Sequence, residues 1–205
     1  MIRHAGTQSL LNYWNLLRGE RTVPRRDEIE PRNIKRLLPD IFLLGFEGPQ
    51  QYRFRLAGTH LCEVFGIELR NFNLLDLWDE DCRKTMSSTL ARVTGEALPM
   101  LVDFTAETPS QRSCSFELLL LPLATDDGRA ARILGHTGAL SSPYWLGDEL
   151  LTRQWIERVQ PLPIFPQTNV AVASARAALM GERPRLRLVA TNDDSVVIPV
   201  LHNSR

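Results

Sequence analysis

Two helical patterns open the chain before any strand pattern appears. In the stretch TQSLLNYWNLLRGER, Leu10, Trp14 and Leu17 recur at the spacing of one helix face, and Gly19 follows as a stop. In the stretch PRNIKRLLPDI, Pro31 suits a first helical turn, and the apolar residues after it share one face. We predict two N-terminal helices whose apolar stripes pack on later parts of the chain.

Five strand-like runs follow, in a group of two and a group of three. The run IFLLGF is separated by Gly48 and Pro49 from QYRFRLAG, where apolar residues and Arg alternate with the period of a half-buried strand. These two runs predict a hairpin. Three later runs, MLVDFTAE, QRSCSFELLLLPLA and ARILGHTGAL, have turn residues between them and predict three more strands.

The segment between the two groups of strands has helical patterns. THLCEVFG predicts a short helix with Thr59 as N-cap and Gly66 at its exit. A longer helix is predicted for residues 79–95, with acidic residues in its first turn. This order predicts an α+β fold, in which small helices cover one face of a five-stranded antiparallel sheet. A doubly wound parallel sheet would need strands and helices to alternate, which they do not.

After residue 140 the pattern becomes less regular. We predict a helical segment with Leu150, Leu151 and Trp155 on one side, then a proline-rich break and a further helix around residues 172–180. The order of the patterns divides the chain into three parts: an N-terminal helical cap (1–40), a core domain (41–141) and a partly helical or flexible C-terminal extension (142–205).

Composition narrows the class of protein. The 205 residues include 24 basic and 24 acidic side chains, so net charge gives no reason to expect binding to nucleic acid or to an anionic membrane. The three cysteines lack the C-x-x-C spacing of zinc and redox sites, which favours a reduced, cytoplasmic protein without a metal. We predict neither a secretory signal nor membrane insertion, because no apolar run has the required length.

Several motifs agree in order and spacing with a known family. They are YWNLLRGERTVPRR, PRNIKRLLPDIFLL, YRFRLAGTHLCEVFGIEL, LLDLW, ELLLLPL and RILG. From about Leu10 to Leu140 the chain is similar to PAS_5, a bacterial subfamily of PAS domains. The resemblance implies a PAS fold and a sensory or protein-interaction module that is expected to form a dimer. It specifies no ligand.

A PAS ligand pocket lies between the inner face of the sheet and the small helices. By analogy, its lining here would consist of eight apolar residues: Phe54, Leu56, Leu61, Phe65, Phe72, Leu75, Trp78 and Leu118. Residues of these types equally suit a solid core without a cavity, and both alternatives stay open.

The sequence lacks the known signatures of cofactor chemistry and catalysis. The helix at 79–95 has no histidine to ligate haem, and His60 and His136 lie elsewhere. The cysteine of a LOV photocycle is absent from RNFNLLDLW, while Cys82 follows carboxylates that are expected to raise its pKa. His60 and Cys62 do not share a helix face, and hydrolase and phosphate-loop motifs are missing. We therefore expect no catalytic residues, and no cofactor is evident.

Two charged residues suggest a polar network. Arg55 lies on the polar side of its predicted strand, whereas Glu117 lies in a run too apolar to hold a carboxylate without a partner. Our hypothesis is that Arg55 and Glu117 pair across the sheet. The alternative is that both side chains face solvent.

Together with the missing output sequences, the resemblance implies a stand-alone PAS sensory or adaptor protein that acts in signalling by protein contact. We find no kinase, cyclase or helix-turn-helix sequence. Leu10, Trp14 and Leu17 could pack on the chain's own sheet or on a second copy, and we expect a homodimer with an unidentified signalling partner. The first alternative is a sensor that binds a metabolite, haem or nucleotide in the core. An enzyme on an α+β scaffold is a weaker alternative.

Overall fold

The computed structural model describes residues 1–125 and 131–164, and the backbone of two short strands beyond them. Six strands form one sheet: β1 (Ile41–Gly48), β2 (Gln51–Ala57), β3 (Met100–Glu107), β4 (Ser113–Leu123), β5 (Arg132–Ala139) and β6 (Arg153–Pro161). Their spatial order is β2-β1-β5-β4-β3-β6, and all neighbours are antiparallel. The short strands β7 (Leu186–Arg187) and β8 (Ile198–Pro199) pair with each other. The predicted α+β fold is confirmed.

Within the described residues, three α-helices and several 3₁₀ helices accompany the sheet. The α-helices are α1 (Ala5–Arg18), α2 (Thr59–Phe65) and α3 (Glu80–Gly95). The 3₁₀ helices are Arg26–Glu28, Pro31–Ile34, Leu38–Asp40 and Leu74–Leu77. The prediction of one helix in PRNIKRLLPDI is wrong, because the stretch forms two separate 3₁₀ turns. Pro39 has no N–H for a helical hydrogen bond and disfavours helical backbone in the residue before it.

Two hydrophobic clusters lie on opposite faces of the sheet. On the inner face, Phe42, Leu44 and Leu118 of the sheet pack with Met86 and Leu90 of α3, all of them buried. On the outer face, α1 packs on the leucines of alternate positions in β3, β4 and β5. Each strand in the middle of the sheet is therefore apolar on both sides, which explains the continuous apolar run of β4.

The N-terminal cap packs on the outer face of its own sheet. Leu10 and Trp14 are fully buried there, and Trp14 Nε1 donates a hydrogen bond of 2.8 Å to the Pro122 carbonyl. Leu17 packs at the margin of the same cluster and is half-buried. The sequence left open whether these residues pack on the chain's own sheet or on a second copy. In the structure they pack on the chain's own sheet. The use of Leu10 and Trp14 as a dimer surface is wrong for this arrangement, because neither side chain is accessible.

The segment after residue 142 adds a strand where a helix was predicted. β6 pairs with the whole length of β3, from Glu107 opposite Arg153 to Met100 opposite Pro161. Trp155 lies in this strand, within a run of aromatic and β-branched residues that favours extended backbone beside an open sheet edge. The helix predicted around 172–180 lies outside the described residues.

A β-bulge in β2 changes which side chains reach the inner core. Leu43 and Leu44 of β1 pair with Leu56 and Phe54, so Arg55 is an extra residue between them. Phe54 is buried, whereas Leu56 is 48% exposed. The prediction that Leu56 lines a pocket is wrong, because the bulge interrupts the alternation on which it rested.

Candidate functional site

Most of the predicted pocket is a packed core. Seven of the eight proposed residues belong to the inner cluster or pack against it, and the five of these outside α2 are Phe54, Phe72, Leu75, Trp78 and Leu118. The Trp78 ring meets Phe104 edge-on, with 5.3 Å between the ring centroids. At these five positions the structure therefore shows the solid-core alternative.

An open cleft lies beside this core, between α2 and the end of β5, and we call it the α2–β5 cleft. Its volume is about 350 Å³. Leu61 and Phe65, two further residues of the predicted pocket, line it from α2. Phe104 and Phe116 add two stacked rings, with centroids 5.0 Å apart and planes 12° apart. Phe104 and Phe116 are 3% and 4% exposed, so they form the buried floor of the cleft, while the half-buried Val64 and Phe65 of α2 supply its accessible apolar side.

The end of β5 presents backbone groups on the cleft side. β1 begins at Ile41, opposite His136, so Ala139 has no β1 residue beside it. The Leu140 N–H donates to the Ser115 carbonyl on β4, at 2.8 Å. Because backbone groups alternate in direction along a strand, the N–H and C=O of Ala139 point away from β4. Ala139 lines the cleft, so these groups are placed to hydrogen-bond a ligand there.

Charged and titratable side chains line the mouth of the cleft. His60 Nδ1 lies 3.0 Å from Asp40 Oδ1, and the His60 side chain is 59% exposed. His4 and Glu63 line the same opening. Two imidazoles and two carboxylates can donate or accept hydrogen bonds, so the mouth can recognise a polar group while the wall contacts an apolar one.

Glu117 has partners, but Arg55 is not among them. The buried Glu117 carboxylate accepts the backbone N–H groups of Arg3, at 2.6 Å, and of His4, at 2.9 Å. Arg55 pairs with Glu47 at the surface. The hypothesis of an Arg55–Glu117 pair is wrong, because β1 and β5 lie between β2 and β4. Three strand spacings amount to roughly 14 Å, beyond the reach of a direct contact.

Asp103 joins Glu117 in holding the N-terminus. The two carboxylates are opposite each other on β3 and β4, and both are buried. Arg3 Nη2 lies 3.0 Å from Asp103 Oδ1, and Arg158 Nε donates to Asp103 Oδ2 at 2.7 Å. Desolvation lowers the pKa of Arg3, but hydrogen bonds and charge from Asp103 and Glu117 raise it overall. An Asp in the apolar run MLVDFTAE was the signal that sequence reasoning missed; no pattern pointed to Arg3.

His136 lies buried beneath the start of α1. Its Nδ1 is 3.2 Å from Thr7 Oγ1, and its ring is 5.2 Å from the ring of His4. Burial and the neighbouring His4 lower the pKa of His136 to about 4. The side chain is therefore neutral at pH 7. No group of three or more possible metal-ligating side chains occurs within residues 1–125 and 131–164.

Cys82 is an unreactive type of thiol. Burial, together with Asp79 and Asp81, raises its pKa above the ordinary value. Its sulfur accepts a hydrogen bond from the Ile156 N–H at 3.4 Å. The predicted direction of the shift is confirmed, although burial contributes more than the carboxylates do. All three cysteines are free thiols.

The antiparallel sheet, the helices on its inner face and the N-terminal cap define a PAS-type sensory domain. The family model PAS_5, described as a PAS domain, matches residues 2–137 of the chain. This match covers more than half of the chain, so the protein belongs to the PAS_5 family. The resemblance seen in the sequence motifs is thereby confirmed.

Solved structures with a similar fold include LOV domains. The LOV protein of Rhodobacter sphaeroides is 13% identical, with 58% of this chain and 73% of that chain covered and a TM-score of 0.42. The light-state structure of the blue-light photoreceptor Aureochrome1 LOV is 10% identical, with coverages of 55% and 90% and a TM-score of 0.41. No curated protein matches this chain. Every helix of the described part falls short of the length and apolarity that crossing a bilayer would require.

Proposed function

We propose that this PAS domain senses a small organic molecule bound in the α2–β5 cleft and passes the signal on by protein contact. The main observation in support of this proposal is the cleft itself. Its volume of about 350 Å³ lies within the range of small-molecule sites, and it combines an apolar wall with a few polar groups. The sensory class follows from the family, whereas the ligand and the output are our proposal.

The wall and the mouth of the cleft indicate the kind of ligand. The half-buried Val64 and Phe65 of α2, with the buried rings of Phe104 and Phe116 behind them, offer apolar surface for the body of a ligand. His60, Asp40 and the backbone of Ala139 offer hydrogen-bonding partners for one or two polar groups. A small metabolite with an apolar body and a polar edge fits this arrangement.

The cleft contacts parts of the chain that could respond to ligand binding and pass the change on to the N-terminal cap. His4 lines the cleft and is also the N-cap of α1, where its Nδ1 accepts the Thr7 N–H at 3.4 Å. The Leu151 N–H donates to the Val64 carbonyl at 3.1 Å, which ties the segment before β6 to α2. A ligand that contacts His4 or α2 would therefore bias the position of the N-terminal cap, and any protein that binds the cap would respond.

Native mass spectrometry of protein purified from its own cells tests the proposal. Val64 lines the cleft from α2 and is half-buried, so Val64→Trp fills the space. The matched control is Ala91→Trp, at an exposed position of α3. We expect a bound mass that denaturation removes in the wild type and in Ala91→Trp, and no bound mass in Val64→Trp. Equal loading of both variants would place the ligand elsewhere.

A second candidate is an adaptor without a ligand, and the solid inner core favours it. Phe54, Leu75 and Leu118, at the centre of the predicted pocket, are buried together in the inner cluster. A wild-type protein free of bound mass would favour this function over the sensor. The expectations of a homodimer, of cytoplasmic location and of no catalytic activity stay predictions under both candidates.

A further inference from the structure

A second groove lies between α1 and the segment 32–37 of the N-terminal cap, and we call it the α1 groove. Its volume is about 730 Å³. Apolar side chains of both elements line it, among them Tyr13 and Leu16 of α1 and Ile34 and Leu37 of the segment. Leu16 and Leu37 are only half-buried, so the groove exposes part of its apolar lining to solvent.

The charge of the α1 groove is one-sided. Arg32, Lys35 and Arg36 line it, and no Asp or Glu does. Arg32 is paired with Glu30, at 3.0 Å between Nε and Oε2. Neither Lys35 nor Arg36 forms an ion pair with any residue of the described chain, and both are exposed. The groove therefore carries uncompensated positive charge in a protein whose net charge is zero.

The groove is held in shape before anything binds. The Glu30 N–H donates to the Tyr13 hydroxyl at 2.9 Å and links the segment to α1. The Leu37 N–H donates to the Ile34 carbonyl at 2.8 Å and continues the turn. α1 itself is anchored to the sheet by the buried Trp14. A preformed groove loses little conformational entropy on binding, which favours its use as a docking surface.

We propose that the α1 groove binds an acidic amphipathic segment of a partner protein. Apolar side chains of that segment would cover Leu16 and Leu37, while its carboxylates would face Lys35 and Arg36. The groove follows α1 from Ser9 to Leu16, a rise of about 10 Å, which matches two turns of a docked helix. This inference goes beyond the ligand proposed for the α2–β5 cleft and stands without it.

Fluorescence anisotropy with two labelled peptides tests the groove. The first peptide is a short amphipathic helix with leucines on one face and glutamates on the other; the second has lysines in place of the glutamates. We expect the full-length protein to bind the acidic peptide and to bind the lysine peptide at least about tenfold more weakly, since opposite charges attract and like charges repel. Added salt should weaken binding of the acidic peptide.

Charge-reversal variants locate the binding site. The double variant Lys35→Glu with Arg36→Glu should weaken acidic-peptide binding about tenfold, because it turns two attractions into repulsions. Lys84→Glu is the matched control, since Lys84 is the other lysine of the chain and lies exposed on α3. Leu16→Ala should weaken binding about fivefold by removing apolar contact, whereas Ile67→Ala, at an exposed apolar residue elsewhere, should leave it unchanged.

Three results would overturn the proposal. One is failure of the acidic peptide to bind, and another is equal binding of both peptides. The third is a loss in Lys84→Glu as large as that in the groove variant. If the groove variant instead changed the oligomeric state in sedimentation experiments without affecting the peptide, the groove would be a contact between copies of this chain. Because no outcome depends on a ligand in the α2–β5 cleft, the two proposals fail or succeed separately.

Discussion

At the scale of single residues, the most consequential side chains are polar ones inside an apolar surrounding. Glu117 holds two backbone N–H groups of the N-terminus, and His136 is held neutral beneath α1. Sequence reasoning recognised that Glu117 needs a partner, because a carboxylate in an apolar strand is too costly alone. It could not identify the partner, because Arg3 is more than a hundred positions away along the chain.

Loss of the Glu117 carboxylate should weaken the anchor of the N-terminus. We expect Glu117→Ala to lower the free energy of unfolding by about 2–3 kcal/mol, since it leaves buried N–H groups unpaired. Urea denaturation measures this change. Glu47→Ala, which removes a surface carboxylate paired with Arg53 and Arg55, should cost at most about 0.5 kcal/mol. Equal effects of the two substitutions would contradict the anchoring role.

The neutral state of His136 should make stability depend on pH. The pKa of His136 is about 4 in the folded chain and 6.5 for an ordinary histidine. Between these two pH values, the unfolded chain binds a proton at this histidine more readily than the folded chain does. His136 should therefore lower the free energy of unfolding by about 2 kcal/mol as the pH falls from about 7.5 to about 5. The nearby groups that modulate this titration are His4, Asp40 and Glu117.

A histidine substitution separates this contribution from that of other groups. Over the same pH range, the free energy of unfolding should fall less in His136→Gln than in the wild type. The difference between the two falls should equal the contribution attributed to His136. A parallel pH profile for His136→Gln and the wild type would show that the buried histidine is not responsible.

At the scale of elements, pairing between strands decides what each side chain does. The bulge at Arg55 turns Leu56 away from the inner core, although simple alternation predicts the opposite. β6 forms because it can pair with the open edge of β3. The sequence of β6 alone would also suit one side of a helix. The wrong predictions for Leu56 and for β6 have the same cause. A local sequence pattern does not specify which strand or helix will lie beside it in the fold.

The bulge predicts a large difference between two apolar residues of β2. Phe54→Ala should lower the free energy of unfolding by about 3–5 kcal/mol, because it leaves a cavity in the inner core. Leu56→Ala should change it by at most about 0.5 kcal/mol, because Leu56 is at the surface. Chemical denaturation of the two variants compares them directly. Similar losses for both would mean that Leu56 faces the core after all.

At the scale of the whole molecule, the sheet is covered on both faces by its own chain. α1 occupies the outer face, so the packing of Leu10 and Trp14 needs no second copy. Among the accessible features of the described residues are the α2–β5 cleft and the α1 groove. Both touch the N-terminal cap, which therefore lies between the proposed ligand site and the proposed docking surface.

Packing of the cap within one chain predicts stability that is independent of protein concentration. Trp14→Ala should lower the free energy of unfolding by about 3–5 kcal/mol, because it removes a large buried ring from the outer cluster. The loss should be the same in dilute and concentrated samples, which thermal denaturation over a wide concentration range can measure. A melting temperature that rises with wild-type concentration and not with Trp14→Ala would indicate that α1 packs between two copies.

The order of the first five strands and of helices α1, α2 and α3, the α+β class and the family were evident from the sequence. Periodicity, acidic first turns such as that of α3 and exits such as Gly66 act between residues that are close along the chain, so they can be recognised without a structure. The partner of Glu117, the bulge at Arg55, the strand β6 and both open grooves were decided only by the tertiary structure. Each depends on which strands and helices become neighbours, and long-range contacts of this kind leave no periodic signal in the amino-acid sequence.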